Sequence, residues 1–304
     1  MVILCTLLED APMMIDANGV RLHYETHGEG EPLLWLHGFM GCGSDWEYIF
    51  KTPPSGYRLI APDLRGHGAS TNPSDGFTFR DSARDVLALL DHLAIARVKA
   101  IGLSGGGITL LHVATMEPSR VEAMIPVSAP PFFPTQARDA QRQFSEAMLS
   151  HADLERMRAR HTRDGQLQRL FAQVRAFADS YDDVNFTPPL LSTIAADTLI
   201  VFGDRDPLYP VTLACELRTA IPRAYLWVVP NGGHGPVFGP ASAPFTDTAL
   251  GFLSGAWRGQ PDVRPAQRES RPVSRDTSRT SSATSLSRPD QATSACEIMP
   301  TQHS

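Results

Sequence analysis

"VKAIGLSGGGITLLHVA", residues 98–114, sets its single serine, Ser104, among four glycines at 102, 105, 106 and 107. An apolar run precedes it and a helix-like apolar run follows. A bare G-x-S-x-G arises by chance in roughly one chain in ten of this length. Set between a strand and a helix it means more. Small neighbours let the two elements pass closely while a tight, strained turn holds the hydroxyl up to solvent.

A serine hydroxyl is a poor nucleophile until a base takes its proton and a third group orients that base. On a strand–turn–helix of this kind the expected order is Ser, acid, His. "FGDRDPLYP" (202–210) follows a late apolar run and offers Asp204 and Asp206; "PNGGHGP" (230–236) follows the next and offers His234. Both fall at carboxyl ends of expected strands, where open α/β sheets place their sites. Asp206 is preferred because it lies deeper in its loop; Asp204, hard against the strand end, suits loop hydrogen bonding. Gly105 N–H, opening the helix, can stabilise an oxyanion on a substrate. A second donor is expected from "HGFMG" (37–41), at Phe39 with Met40 behind it. His37 and His67 are expected to brace loops and His112 to pack in the core. His151 and His161 are expected to be exposed or, less readily, to touch substrate.

The surrounding chain supplies the frame. "MMIDANGVRLHYETHG" (13–28) reads as two strands around Asn18-Gly19, a hairpin signal. "PLLWLHG", "YRLIAPD", "VKAIGLS", "VEAMIPVSAP", "DTLIVFGDRD" and "AYLWVVPNGGH" read as buried strands. "FRDSARDVLALLDHL" reads as a helix, with Asp81 as its cap, and a last helix is expected near 242–255. Strands alternating with helices predict a mostly parallel sheet with right-handed crossovers. A helical block at about 131–190 interrupts that alternation and reads as a cap over one sheet edge. Its Phe144 and Phe171, with Phe132, Phe133 and Met40, are candidates for a partly apolar substrate pocket.

With 304 residues, 42% hydrophobic and 20% charged, the chain has the composition of an ordinary globular protein. A net charge of −6 disfavours nucleic acid as a partner. The four cysteines, Cys5, Cys42, Cys215 and Cys296, have neither metal-ligand nor redox spacing, so a reducing, cytoplasmic setting without a metal is expected. No run is long enough to span a membrane. Residues 1–12 are expected to be a disordered leader, 13–257 the folded body, and the Ser/Arg/Pro-rich 258–304 a disordered tail. Oligomeric state has no signature.

Taken together, "HGFMGCGSDW", "APDLRGHGAS", "GLSGGG", "GDRDPLYP" and "GGHG" resemble the α/β-hydrolase superfamily of serine esterase/lipase type, over about residues 14–256. The resemblance implies a triad of Ser104, Asp206 and His234, oxyanion donors at Phe39 and Gly105, and no cofactor. The family's acid lies four residues before a proline, here Asp206 with Pro210. "LSGGGITLLHVATMEP" is similar to the valacyclovir hydrolase branch, but that branch usually has an acid after the nucleophile. Gly105 stands there instead, which predicts an uncharged, open pocket floor and neutral rather than α-amino esters as substrates, small to medium in size to judge by the cap's apolar side chains. The same triad also serves C–C bond hydrolysis, lactone opening and cofactor-free perhydrolysis or haloperoxidation. A non-catalytic ligand receptor on this fold is the other alternative.

Overall fold

Asn18 and Gly19 both adopt left-handed backbone angles, φ 47° and 80°. A two-residue hairpin loop of type I′ needs that pair of angles. They join β1 (Met13–Ala17) to β2 (Val20–His27), antiparallel with Ala17 opposite Val20. The computed structural model describes residues 13–258; the expected leader and nearly all of the expected tail lie outside them. β2 runs antiparallel to β4 (Tyr57–Pro62). From β4 onward the sheet is parallel, through β3 (Glu31–Leu36), β5 (Val98–Leu103), β6 (Val121–Val127), β7 (Asp197–Gly203) and β8 (Ala224–Val229). The order across the eight strands is β1-β2-β4-β3-β5-β6-β7-β8. The α/β class and the mostly parallel sheet expected from the sequence are what the chain adopts.

The two-residue period of a strand sorts its apolar side chains into two layers. Along β3, Leu34 and Leu36 join one core with α1 (Phe79–His92), α2 (Gly105–Met116) and α7 (Val211–Ala220). Leu33 and Trp35 join the opposite core with Trp46, Ile49 and α8 (Ser242–Leu253). A sheet buried on both faces explains the near-continuous apolar runs. Helix α7 was not anticipated, although Leu213, Ala214 and Leu217 form its buried face. The cap of α1 also differs from expectation. Thr78 is the N-cap: its hydroxyl accepts from Asp81 N–H at 3.0 Å and donates to the Asp81 carboxylate at 2.8 Å. Asp81 is therefore the N3 partner, one turn inside.

Between β6 and β7 lie α3 (Thr135–Gln143), α4 (His151–Arg160), α5 (Gln166–Phe177) and the short α6 (Pro188–Leu191). Leu167, Leu170 and Phe171 of α5 close over Met40 of the body, with Phe144, Leu154 and Met157 packed against them. The buried Arg138 ties α3 to the end of α5. Its guanidinium donates to the carbonyls of Ala178 at 2.7 Å and Ser180 at 2.9 Å, which no helical N–H reaches. On the return to β7, Asp183 accepts from Phe79 N–H at 2.7 Å and Arg80 N–H at 3.2 Å, capping α1 from outside. His112 is buried, as expected, and donates to the Asp183 carbonyl at 2.7 Å.

Candidate active site

The glycines around Ser104 are required by close approach. A Cβ on Gly106 would lie 2.2 Å from the Leu36 carbonyl oxygen, and one on Gly102 would lie 2.6 Å from that of Gly106. Helix α2 thus crosses strands β3 and β5 at backbone distance. Between them Ser104 takes φ 48°, ψ −112°, an angle pair costly to any residue with a Cβ. Its N–H is fixed to Val127 C=O at 2.7 Å, and its own C=O accepts from Ile108 N–H at 2.9 Å. The hydroxyl is left partly exposed at the carboxyl end of β5.

Loops after β7 and β8 bring two groups to that hydroxyl. His234 Nε2 lies 2.9 Å from Ser104 Oγ, and His234 Nδ1 lies 2.9 Å from Asp206 Oδ2. A carboxylate only accepts, so Nδ1 carries the proton and Nε2 presents its lone pair to the serine O–H. The Asp206 side chain is fully buried, and its other oxygen accepts from Leu208 N–H at 2.8 Å and Tyr209 N–H at 3.2 Å. Tyr209 sets its ring edge-on to His234, centroids 5.2 Å apart. Asp204 is exposed, and its backbone N–H bonds to Val229 C=O at 3.2 Å.

A turn, Gly38 to Gly41, stands opposite. Gly41 N–H closes it onto Gly38 C=O at 2.9 Å, and Met40 sits at φ 70°. Met40 N–H is spent on His67 Nε2 at 3.2 Å. Among the described residues, Phe39 N–H meets no acceptor. It lies 3.2 Å from where a Gly105 Cβ would be, beside the start of α2. Of Phe39 and Met40, the two residues of this turn singled out in the sequence, only Phe39 has an N–H without an acceptor.

Three buried imidazoles support this turn, each accepting one backbone N–H and donating to one C=O. His37 takes Leu64 N–H at 2.9 Å and gives to Gly38 C=O at 2.8 Å. His67 takes Met40 N–H and gives to Arg65 C=O at 3.0 Å. His161 takes Gly68 N–H at 3.0 Å and gives to Met40 C=O at 3.0 Å. The bracing role expected of His37 and His67 is what they perform. His161 departs from expectation: it is 4% exposed and docks the end of α4 onto the body. His151, at the start of α4, is exposed. Burial lowers the pKa of all three buried imidazoles, which fits their neutral bonding.

Asp63 completes the support, accepting from Gly43 N–H at 2.7 Å, Ala69 N–H at 2.8 Å and His23 Nδ1 at 2.9 Å. Burial would raise its pKa, but the hydrogen bond from His23, the charge interaction with His37 and the hydrogen bonds from Gly43 and Ala69 outweigh it and bring it down to about 2. The unfolded carboxyl titrates near ~3.9. The carboxylate's contribution, about 2 kcal/mol, is therefore complete above pH ~4 and lost as pH falls toward 2. The lowered imidazole values act in the same sense, complete above ~6.5 and lost on acidification. Asp63→Asn should cost about 2 kcal/mol in urea unfolding at pH 7 and clearly less at pH 3. An equal loss at both pH values would show that the charge is not what matters.

A cavity of about 210 Å³ opens along this turn, lined by Phe39, Met40, Leu103, Met157 and Phe238 and by the charged Asp45, Asp153, Arg156 and Arg160. The aromatic candidates from sequence do not share it. Phe133 is buried between Phe177 and Tyr209, centroids 6.1 and 6.3 Å away. Phe144 and Phe171 stack on each other at 5.4 Å over Met40. Phe132 is 39% exposed and lines a separate surface depression with Tyr181 and Asn185. The floor beside Gly105 is uncharged but closed: a Cβ there would meet Phe79 at 3.2 Å and Phe39 Cβ at 3.3 Å. Phe39 instead packs on Phe77 and Phe177, both at 4.9 Å.

Among the described residues no cluster of three or more His, Cys, Asp or Glu is placed to hold a metal ion. No described helix is long and apolar enough to cross a membrane. Cys42 and Cys215 are free thiols.

Comparison with known proteins decides the family. Residues 31–176 match the α/β hydrolase fold family. RutD of Variovorax paradoxus, a candidate carbamate hydrolase, is 30% identical over 261 residues, covering 77% of this chain and 96% of that one. The chain belongs to the α/β hydrolase family. A second member, the α/β-hydrolase superfamily protein YisY of Bacillus subtilis, is 29% identical over 242 residues, 72% of this chain and 90% of its own. The esterase EaEST of Exiguobacterium antarcticum superposes with a TM-score of 0.67 at 24% identity, covering 80% of this chain and all of that one (100%). Names among its relatives extend to haloperoxidase and epoxide hydrolase, so membership in the α/β hydrolase family leaves the reaction open.

Proposed function

We propose that this α/β hydrolase cleaves carboxylic esters through an acyl-serine. The observation that carries the reading is the hydrogen-bonded chain from Ser104 through His234 to Asp206, facing an unspent N–H on Phe39. His234 Nε2 takes the Ser104 proton as Oγ attacks the ester carbonyl. The oxyanion that forms is held by the N–H groups of Phe39 and Gly105. His234 returns the proton to the leaving alkoxide, and the C–O bond breaks. Water, deprotonated by the same nitrogen, then attacks the acyl-serine; the acyl C–Oγ bond breaks, His234 returns the proton to Ser104 Oγ, and the acid leaves. Asp206 holds His234 in the tautomer this cycle needs and stabilises the imidazolium formed at each step. A serine at 104 argues against the aspartyl-nucleophile chemistry of epoxide opening. Of the relatives compared, one carries the name of a candidate carbamate hydrolase and one that of an esterase, both acyl chemistries.

The cavity beside Phe39 and Leu103, about 210 Å³, equals the share of roughly seven waters in liquid. Its apolar lining, Met40, Leu103, Met157 and Phe238, suits a short acyl group. A series of p-nitrophenyl esters tests both points. Acetate to butyrate should turn over with kcat/KM at least ~10-fold above decanoate, a difference of about 1.4 kcal/mol in transition-state binding. Absence of turnover on every ester, with a lactone or a vinylogous diketone cleaved instead, would replace ester hydrolysis with one of those reactions.

A further inference from the structure

We infer that His161 is a positioning residue that couples docking of the cap to the aim of the Phe39 N–H. The inference rests on the reading of Phe39 as an oxyanion donor. The turn that presents Phe39 is an unfavourable one. Positive φ at the third residue of a turn ordinarily calls for glycine or asparagine, and here Met40 occupies it at 70°. Nothing in the Met40 side chain favours that angle, so the surroundings must impose it.

They do so through both polar groups of the Met40 backbone. His67, from the body, holds the N–H at 3.2 Å, and His161, from the cap, holds the C=O at 3.0 Å. His161 can make that bond in only one state. Gly68 N–H can only donate, so Nδ1 must accept it; Met40 C=O can only accept, so Nε2 must carry the proton. The ring is also fixed from outside. It ends α4, whose last residue, Arg160, reaches Asp45 at 2.8 Å, and Gln166 of α5 donates to Gly66 and Gly68 C=O at 3.0 and 2.9 Å. The Gln166 contacts seat the cap on the loop that follows β4, while Arg160 reaches the segment just past the turn, where Asp45 Oδ2 accepts from Cys42 N–H at 3.2 Å. Among the described residues His161 alone extends that seat to the turn bearing Phe39 through a hydrogen bond. With the cap seated the turn is held from both sides. With the cap lifted, Met40 C=O loses its donor, the left-handed angle loses half its support, and Phe39 N–H is no longer aimed at the substrate carbonyl.

The test compares two substitutions. His161→Phe keeps a planar ring and loses both hydrogen bonds. His161→Gln offers an amide N–H to Met40 C=O and an amide oxygen to Gly68 N–H. With p-nitrophenyl butyrate, kcat should fall roughly 10- to 100-fold in His161→Phe, with KM changed less than ~3-fold because substrate binding precedes oxyanion formation. His161→Gln should recover most of the loss. Thermal unfolding of both variants, run alongside, shows whether they are folded at the assay temperature. Equal kcat in wild type and a folded His161→Phe, or a rise in KM alone, overturns the coupling and leaves ester hydrolysis standing. Equal losses in Phe and Gln variants also overturn it, since the hydrogen bonds would not be the cause. Turnover that survives Ser104→Ala strikes at the proposed reaction itself and takes the coupling with it.

Discussion

Asp206→Asn is expected to lower kcat by about 10⁴, while Asp204→Asn changes it only several-fold. The geometry explains the contrast. Asp206 faces His234 Nδ1 at 2.9 Å with a wholly buried side chain, so its charge is unscreened by water. Its second oxygen is occupied by the N–H groups of Leu208 and Tyr209. An asparagine at 206 would keep its oxygen on those two donors and turn its NH₂ toward Nδ1. The imidazole would then protonate on Nε2 instead and present a donor to the serine O–H. The base is lost though every atom is nearly in place. Asp204 is exposed, and its backbone N–H, which substitution leaves intact, makes its loop contact. Steady-state kinetics on both variants decides the assignment, and a reversal of the two effects would move the acid to Asp204.

Gly106→Ala is expected to destabilise the fold by about 4 kcal/mol or more, a loss found only when a named structural requirement is broken. The new Cβ would lie 2.2 Å from Leu36 C=O and 2.5 Å from His37 C=O. Both oxygens belong to backbone at the end of β3, where Leu36 pairs with Gly102 of β5. Neither can retreat without opening the sheet beneath Ser104. The melting temperature should drop on the order of 10 °C for a domain of this size. Gly251→Ala serves as the control, since nothing lies within 4 Å of a Cβ there and it sits in α8. That change should stabilise by roughly 0.5–1 kcal/mol through helix propensity. Melting curves of the two variants that coincide with wild type would contradict the close-approach account of the glycines.

The parts legible in the sequence were those fixed by local rules. Asn18-Gly19 announced its hairpin because the turn type demands left-handed angles there. The strands announced themselves because a parallel sheet buried on both faces leaves continuous apolar runs. The Ser, Asp, His order could be read because each residue ends a strand, and strand ends share one edge of the sheet. What escaped was set by contacts distant in the chain. His161 lies 121 residues from Met40, its hydrogen-bond partner, and no periodicity links them. Thr78 and Asp81 are equally good capping chemistry, and only the backbone angle at 78 separates cap from third residue. Residue type within the cap points to Phe132, Phe133, Phe144 and Phe171, whereas the rings beside Phe39 include Phe77 and Phe79 from the body, and the helical pattern of α1 by itself accounts for Phe79. Helix α7 is short, and three buried residues gave it a weak face.

The central claim is that Ser104 is the activated nucleophile. A fluorophosphonate reacts with an activated serine, expels fluoride and leaves a stable phosphonyl ester. Labelling the full chain and mapping the adduct by peptide mass spectrometry tests the claim directly. One adduct, on Ser104, formed in step with loss of ester turnover and absent in Asp206→Asn over the same interval, is the predicted result. An adduct on another serine with Ser104 unmodified, or full loss of turnover with no label at 104, would contradict it.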